Sequence, residues 1–510
     1  MTGAPSDYPL LIGQLLANLP QFAEQEIVSD GKRFTYAQFA RRLRQLANVL
    51  TDLGVKPGMT VAVMDWDSHR YLEAYFAVPM IGAILQTVNV RLAPAQITFT
   101  LRQSCAQVLL YHPDFRELAQ DFASSSATPP RLFAMADYED HLAAAATDFD
   151  FPELDENTLA TTFHTSGTSG DPKAVSFTHR QLVLHTLAMA GTLANQPDGE
   201  GFRRSDVYMP MTPMFHVHAW GMPYLATMLG AKQVYPGRYD PDELLRLQHE
   251  EGVTFSHCVP TILRMLLDCR TIDARPLRWT IIIGGSALSE ALRIEAHRHG
   301  IVAIGGYGMS ETGPVVALSR SVRSGSPALL GRAGFPVPLV WARCPRTGND
   351  NQAGELQLRA PWLTAGYRDD STASAALWAD SWLHTQDLAR IDADGAISIV
   401  DRIKDVIKTG GEWVSSLTLE DLCARHPDVV EVAVVGIPDD RWGERPVLFV
   451  VPVPERPPPT LASIHELLRP AISNGTISRY AIPDRIISRS ELPRNSTGKL
   501  DKASLRTSVQ

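Results

Sequence analysis

From Thr165 to Lys173 the chain reads Thr-Ser-Gly-Thr-Ser-Gly-Asp-Pro-Lys, packing four hydroxyls, two glycines and a lysine into nine residues. Backbone without a Cβ lets amide N–H groups approach phosphate oxygens closely, as at Gly167. The hydroxyls of Thr165, Ser166, Thr168 and Ser169 add donors, and Lys173 adds a mobile cation. A generic Ser/Gly run is more often a solvated loop. Here the terminal Pro-Lys and the strand-like Leu159 to Phe163 beforehand favour a phosphate cradle. The spacing is not GxxxxGK[ST], so ordinary P-loop chemistry is not implied.

Further stretches carry chemistry in the same way. In Gly306-Tyr307-Gly308-Met309-Ser310-Glu311-Thr312 an aromatic ring offers a stacking face, and a carboxylate suits a hard cation such as Mg²⁺. Asp387 ends Trp382-Leu-His-Thr-Gln-Asp387, and a carboxylate there can accept two charge-assisted bonds from a cis-diol. Lys499 closes Arg494-Asn-Ser-Thr-Gly-Lys499, after Leu492-Pro493. Each would more often be structural or solvated if met alone. His216 and His218 form no metal signature, since no further ligand cluster accompanies them.

Together and in this order, these segments resemble the adenylate-forming superfamily of acyl-CoA synthetases, peptide-synthetase adenylation domains and firefly-type luciferases. Its phosphate loop usually reads TSGTTGxPKG. The resemblance runs from Phe34-Thr-Tyr36 to Lys499. Met211-Thr-Pro-Met-Phe-His-Val-His-Ala-Trp220 is closest to the medium- and long-chain fatty-acyl-CoA ligase branch. The resemblance implies that Tyr307 stacks on adenine, Ser310 contacts the α-phosphate and Glu311 binds Mg²⁺. Gly284-Gly285-Ser286, with Gly306 and Gly308, would lie beside adenine and the acyl group, Met309 on the acyl side. Asp387 would hold the ribose, with Arg402 near ribose and phosphate. Lys499 would neutralise charge during adenylation, and Lys404 would be the hinge. Lys408 and Trp413 would stand near nucleotide phosphate, and Gly410 and Gly411, with Lys408, would let the pantetheine of coenzyme A pass. His216 would sit at the acyl end. For Trp220 and His218, an acyl-tunnel role and a place in an aromatic core remain equally open.

The implied enzyme is an acid–thiol ligase using ATP, Mg²⁺ and coenzyme A, with an acyl-AMP intermediate and AMP as product. The acid would be hydrophobic: medium- or long-chain, or bulky and polycyclic. A homodimer is implied by the fatty-acyl branch.

To bring such segments together the chain needs an α/β frame. Helical periodicity at Ala37 to Leu53 and Tyr71 to Met80 alternates with strand-like Thr60 to Met64 and Gln107 to Tyr111. Gln233 to Tyr235, Ile281 to Ile283 and Ile301 to Ile304 continue the pattern. This predicts a large N-terminal α/β domain, residues 1–400, with several subdomains and mostly parallel sheets. Residues 401–510 are expected to form a small mobile α+β domain. Its strands are Val429 to Val435 and Val447 to Val451, and the proline-dense Pro452 to Thr460 is an exposed loop.

Composition sets the outer bounds. Apolar residues at 45% permit a large core. A net charge of −9 argues against a nucleic-acid partner. Five scattered cysteines without a CxxC pair fit a reducing cytoplasm. Met1 to Tyr8 lacks a signal-peptide pattern, and no apolar run is long enough for a membrane span.

Two residues depart from the family pattern. Ala174 stands where glycine usually follows the loop lysine, and Gln386 replaces glycine in Thr-Gly-Asp. If Ala174 needs positive φ it is strained, and Gln386 would put bulk beside the nucleotide. Both bear on an alternative in which adenylation is impaired and the enzyme thioesterifies a supplied acyl-AMP. Further alternatives are an acyl-AMP ligase loading a carrier protein, a luciferase-like oxidase and a non-catalytic nucleotide or acyl sensor. No carrier domain follows Gln510, which argues against a complete peptide-synthetase module.

Overall fold

Apolar side chains recur every three or four residues after Tyr36, so this stretch winds into a helix, Tyr36–Asp52, with one buried face. Tyr36, Phe39, Leu43, Leu46 and Leu50 are fully buried along it. Thr35 starts the helix: its hydroxyl accepts from Gln38 N at 3.2 Å, and the Gln38 side chain accepts from Thr35 N at 2.7 Å. The apolar face packs on the buried helix His69–Met80. Truncating Leu46 to alanine there would cost about 2–5 kcal/mol. The computed structural model describes residues 8–165, 171–196, 200–269, 277–319, 332–345, 353–494 and 499–509. Ser166, Gly167, Thr168 and Ser169, four of the phosphate-loop residues named above, lie outside them.

The alternating pattern becomes two sheets in the large domain. One joins Arg131–Ala134, Ala106–Tyr111, Thr60–Met64, Ile84–Thr87 and Leu159–His164 in parallel, with Ala174–Thr178 antiparallel at its edge. Thr60–Met64 matches its expected bounds, and the two helices fall within two residues of theirs. The second sheet has a parallel half built from Glu26–Ser29, Lys232–Tyr235, Val207–Pro210, Phe255–Cys258, Trp279–Ile283 and Ile301–Tyr307. Past Tyr307 its strands turn antiparallel, through Ala317–Leu318, Arg332–Pro336, Ile397–Arg402, Trp382–Ile391, Gly354–Arg359 and Trp341–Arg343. A parallel crossover needs a dozen residues or more, usually with a helix. The link from Ile391 to Ile397 is too short for one.

The last strand of this sheet ends at Arg402, and the small sheet begins at Ile407–Thr409. Val429–Asp439 and Gly443–Pro452 pair antiparallel, and Arg485–Ser488 joins in parallel. The first of these runs beyond Val435, through Pro438, because Pro438 pairs with Glu444 before the turn at Gly443. Helices Ser416–Cys423 and Leu461–Ser473 cover one face, and Lys502–Thr507 lies against Val429–Asp439. Among the described residues no helix is long and apolar enough to cross a membrane.

Candidate active site

The parallel half of the second sheet sends four consecutive loops out from the carboxyl ends of its strands, where open α/β sheets gather ligands. Val207–Pro210 leads to Met211 and His216; Phe255–Cys258 leads to Val259 and Thr261. Trp279–Ile283 leads to Gly284-Gly285-Ser286, and Ile301–Tyr307 to Gly308, Ser310 and Glu311. These loops surround a cavity of about 80 Å³, lined by His216, Trp220, Gly284, Gly306, Met309 and Lys499 among others. A wider cleft of about 1290 Å³ separates the two domains and reaches Ser286, Asp387, Arg402, Lys404, Trp413 and Lys499. Cavity and cleft meet at Thr261, Gly285, Gly306, Tyr307, Gly308 and Lys499, which border both.

The glycines at this junction have steric reasons. A Cβ on Gly284 would lie 2.9 Å from Gly306 O and 2.9 Å from Trp220 Cη2. Gly285 has φ of +82°, and a Cβ there would come within 3.1 Å of Lys499 Cε. Lys499 is therefore laid directly on glycine backbone. Burial and the nearby Arg402 pull its ammonium down to about 8, opposed by the carboxylates of Asp387 and Glu311. Arg494 docks this segment onto the large domain: its Nη1 donates to Thr261 Oγ1 at 2.7 Å, and it also pairs with Glu431. Three residues beyond Lys499, Lys502 Nζ lies 2.7 Å from Glu420 and 2.7 Å from Ser416 Oγ, anchoring the other side.

On the cleft side, Tyr307 donates to Asp387 Oδ2 at 2.6 Å, and Arg402 Nε lies 3.3 Å from Asp387 Oδ1. Burial raises the Asp387 carboxyl, and Arg402 opposes that rise. Lys404 is exposed between the two domains, with its carbonyl accepting from Arg506.

On the cavity side, His216 is held neutral at about 3 by burial, then by Lys499, Arg91 and His218. It offers hydrogen bonds, not charge. Val217, His218, Ala219 and Trp220 have φ of 47°, 54°, 46° and 56°, a left-handed turn running into Gly221. Such backbone costs roughly 1–2 kcal/mol per non-glycine residue. The turn carries the Trp220 ring to 5.1 Å from His257 and against Gly284. Trp220 thus lines the cavity. His218 does not, packing edge-on between Tyr75 and Phe163 as a core histidine.

Glu311 sits in the turn Ser310–Thr312, buried, with its Oε1 accepting from Tyr367 at 2.6 Å. Lys173 Nζ stands 4.8 Å over the same tyrosine ring and 3.6 Å from Asp370. Thr165 N donates to Lys173 O at 2.9 Å, closing the base of the phosphate loop. Among the described residues no three His, Cys, Asp or Glu side chains cluster as a metal cage. One buried carboxylate suits a Mg²⁺ that keeps waters and takes its other ligands from substrate phosphates.

Lys408, Gly410 and Gly411 border neither the cavity nor the cleft. They lie in the hairpin Ile407–Thr409 and Glu412–Val414, with Gly410 packed beneath Tyr480 and Trp442. Lys408 Nζ stands 5.8 Å from the Trp413 ring, and of this hairpin Trp413 and Val414 border the cleft.

Both departures from the family pattern are corrected by geometry. Ala174 is extended and begins the strand Ala174–Thr178, so its Cβ meets no positive-φ strain. Gln386 does have φ of +61°, a region that favours glycine. Its side chain points away from Asp387: N and Nε2 donate to Glu355 Oε1 at 3.1 and 2.9 Å. It adds no bulk beside the nucleotide cleft, because side chains alternate across a strand and a bulge interrupts the pairing here.

Sequence reading missed Tyr367, Thr261 and the outer end of the cavity, where Arg91 and Tyr239 lie. No spacing links Tyr367 to Glu311, since the pairing is purely tertiary.

A family model described as AMP-binding enzyme matches residues 17–368, and one for the AMP-binding enzyme C-terminal domain matches 418–499. The chain is 38% identical over 515 residues to a long-chain-fatty-acid–CoA ligase of Thermus thermophilus, covering 95% of this chain and 93% of that protein. It is 33% identical to a 3-methylmercaptopropionyl-CoA ligase of Ruegeria pomeroyi, covering 99% and 98%. Its fold matches the crystal structure of the anthranilate CoA ligase AuaEII in complex with anthranoyl-AMP. The TM-score is 0.88 at 24% identity, covering 100% of this chain and 99% of that one.

Proposed function

Because this chain belongs to the AMP-binding enzyme family and is a carbon–sulfur ligase of the acyl-CoA synthetase kind, we propose that it joins a hydrophobic carboxylic acid to coenzyme A through acyl-AMP. The observation that carries this reading is the junction of two spaces. A cavity walled largely by Met211, Phe215, Trp220, Met309 and neutral His216, and a cleft holding Asp387 and Arg402, share one short border of glycines, Thr261, Tyr307 and Lys499. A mixed carboxylic–phosphoric anhydride has one end suited to each.

The acid would enter the cavity with its carboxylate toward His216 and Lys499. Neutral His216 orients it by hydrogen bonding, and Lys499 supplies the charge that draws carboxylate and α-phosphate together. A carboxylate oxygen attacks the α-phosphorus, the bond to the β-phosphate oxygen breaks, and pyrophosphate leaves. Asp387 would accept from the ribose hydroxyls, with Tyr307 against adenine and Ser310 at the α-phosphate. Mg²⁺, held by Glu311 and phosphate oxygens, would offset the charge of the departing pyrophosphate.

The second step needs a different arrangement. Gly410 and Gly411 are away from the junction while Lys499 occupies it. Rotation of the small domain about Lys404 would withdraw Lys499 and bring the glycine hairpin in. Coenzyme A thiolate then attacks the acyl carbonyl, the C–O bond to phosphate breaks, and AMP departs.

The test is pyrophosphate release with ATP and a panel of aliphatic and aromatic acids, followed by thioester formation with coenzyme A. ATP-dependent pyrophosphate release with at least one acid supports the reading. Turnover of acyl-adenylates alone would replace it by the thioesterifying alternative, and transfer to a carrier protein but not to coenzyme A by the acyl-loading one.

A further inference from the structure

We propose that Tyr367 is a positioning residue of the adenylation step, holding Glu311 and Lys173 in one unit that faces the nucleotide phosphates. The proposal rests on the reading above, that a metal–nucleotide complex binds in this cleft. It concerns a residue that carries no charge and that, like Glu311 and Lys173, borders neither the cavity nor the cleft; Glu311 is near enough to the shared border to act on the Lys499 charge.

Tyr367 is where three distant segments meet. Its backbone forms an isolated antiparallel bridge with Val175, and Arg368 N donates to Ala174 O at 2.9 Å. It is thereby stitched to the strand that leaves the phosphate loop at Lys173. Tyr367 N donates to Ser374 Oγ at 2.9 Å, which fixes it from the other side. Its hydroxyl crosses to Glu311 Oε1 at 2.6 Å, and Thr364 N donates to Glu311 O at 3.0 Å. Its ring lies under Lys173 Nζ at 4.8 Å. One side chain therefore touches both charged groups through different parts of itself.

Each contact has a distinct physical effect. Tyr367 is the one hydroxyl donor to the Glu311 carboxylate among the described residues. By engaging Oε1 it fixes the carboxylate plane, so that Oε2 is the oxygen a cation would take. Partners that orient a metal-binding carboxylate are typically worth a factor of roughly 10–100 in metal affinity. The ring face attracts the ammonium by its quadrupole, an effect of about two- to fivefold at a half-exposed site. Asp370 flanks the same ammonium at 3.6 Å, so Lys173 is held between a ring and a carboxylate. The two contacts separate by substitution, because phenylalanine keeps the ring and loses the hydroxyl.

The test uses Mn²⁺ as a paramagnetic probe with a non-hydrolysable ATP analogue on the full-length enzyme, bound metal being read by electron paramagnetic resonance. In Tyr367→Phe, Mn²⁺ affinity for the enzyme–analogue complex is expected to fall roughly 10- to 100-fold, with metal-free analogue binding unchanged. In Tyr367→Leu, metal-free binding is expected to weaken as well, by about two- to fivefold. Pyrophosphate release should fall more than thioester formation from a preformed acyl-adenylate, which needs no metal. Wild-type Mn²⁺ affinity in Tyr367→Phe overturns the proposal. So does equal loss of analogue binding with and without metal, the mark of a merely structural role. Should the variants melt below the assay temperature, 3-fluorotyrosine at position 367 replaces them. Its ¹⁹F resonance must then shift when Mg²⁺ joins the analogue complex, and a resonance blind to the metal overturns the proposal. Failure of the wild type itself to bind Mn²⁺ with the analogue would instead remove the nucleotide reading, and this proposal with it.

Discussion

Gln386 Nε2 lies 2.9 Å from Glu355 Oε1, and the same oxygen accepts from Gln386 N. The other Glu355 oxygen lies 2.7 Å from His384 Nδ1. A glutamine can occupy a left-handed backbone position next to Asp387 because Glu355 supports it. Relief of roughly 1–2 kcal/mol of left-handed strain and loss of about 0.5–1.5 kcal/mol of hydrogen bonding nearly cancel in Gln386→Gly. Adenylation by that variant is expected to stay within about twofold of wild type, measured by pyrophosphate release. Glu355→Ala removes three hydrogen bonds, two of them from the exposed Gln386, and is expected to cost about 0.5–1.5 kcal/mol in denaturant unfolding. A large gain of adenylation in Gln386→Gly would show that glutamine does impede the nucleotide.

The lysine at the junction sets a pH window. Lys499 is lowered from 10.5 to about 8, so it is cationic below that pH and loses its proton above it. In the proposed adenylation step the cation is the active form. Its kcat/KM in the free enzyme is expected to decline as pH rises through about 8 and to be level below about 7. Lys499→Ala should remove that descending limb and lower pyrophosphate release by about 10²–10³-fold. Thioester formation from a preformed acyl-adenylate should be affected far less, since Lys499 withdraws for it. Comparing the two half-reactions across pH checks both statements.

Much of the frame could be read directly from the residues, and the reasons are local. Thr60–Met64 and Ile281 to Ile283 are short apolar runs between helical patterns, and burial on both faces makes such runs strands. The order of motifs assigned Tyr307, Glu311, Asp387 and Lys499 to one site; in the fold Tyr307, Asp387 and Lys499 border the same cleft, while Glu311 is buried off it, near enough to act on the Lys499 charge. Less legible was everything set by tertiary pairing. The antiparallel half of the second sheet, the left-handed turn at Val217–Trp220 and the Tyr367 contact leave no period in the sequence. Gln386 misled for the same reason: residue type showed bulk, whereas its direction depends on a bulge opposite Glu355.

Trp220 closes the cavity against Gly284, so its removal should admit longer acids. Burying one further methylene is worth about 0.8 kcal/mol, close to fourfold in kcat/KM at the best. Trp220→Ala is expected to shift the optimum of an acid series toward longer chains, read by pyrophosphate release. Gly284→Ala should lower adenylation of every acid, because its Cβ meets Gly306 O as well as the indole, each at 2.9 Å. Adding Trp220→Ala to it should not rescue activity, since the backbone contact remains. Full rescue would place the whole clash on the indole.

Arg494 offers the sharpest separation between the two conformations. Its Nη1 reaches across the domain boundary to Thr261 Oγ1 at 2.7 Å, in a segment that also carries Lys499 into the junction. If the small domain rotates as proposed, that contact is made only in the arrangement seen here, so it would stabilise the adenylating arrangement and nothing in the rotated one. A hydrogen bond to a charged group of this kind contributes about 1 kcal/mol where the arginine is part-exposed, equivalent to roughly fivefold in a conformational equilibrium. Thr261→Val removes the acceptor while preserving shape and leaving Arg494 its pairing with Glu431. Pyrophosphate release is expected to fall by about that factor, while thioester formation from acyl-adenylate is unchanged or faster. Equal slowing of both half-reactions would mean that Thr261 acts on the cavity itself, whose wall it also forms. A double variant with Arg494→Ala distinguishes the two: coupling through the contact makes the second substitution nearly silent in the background of the first.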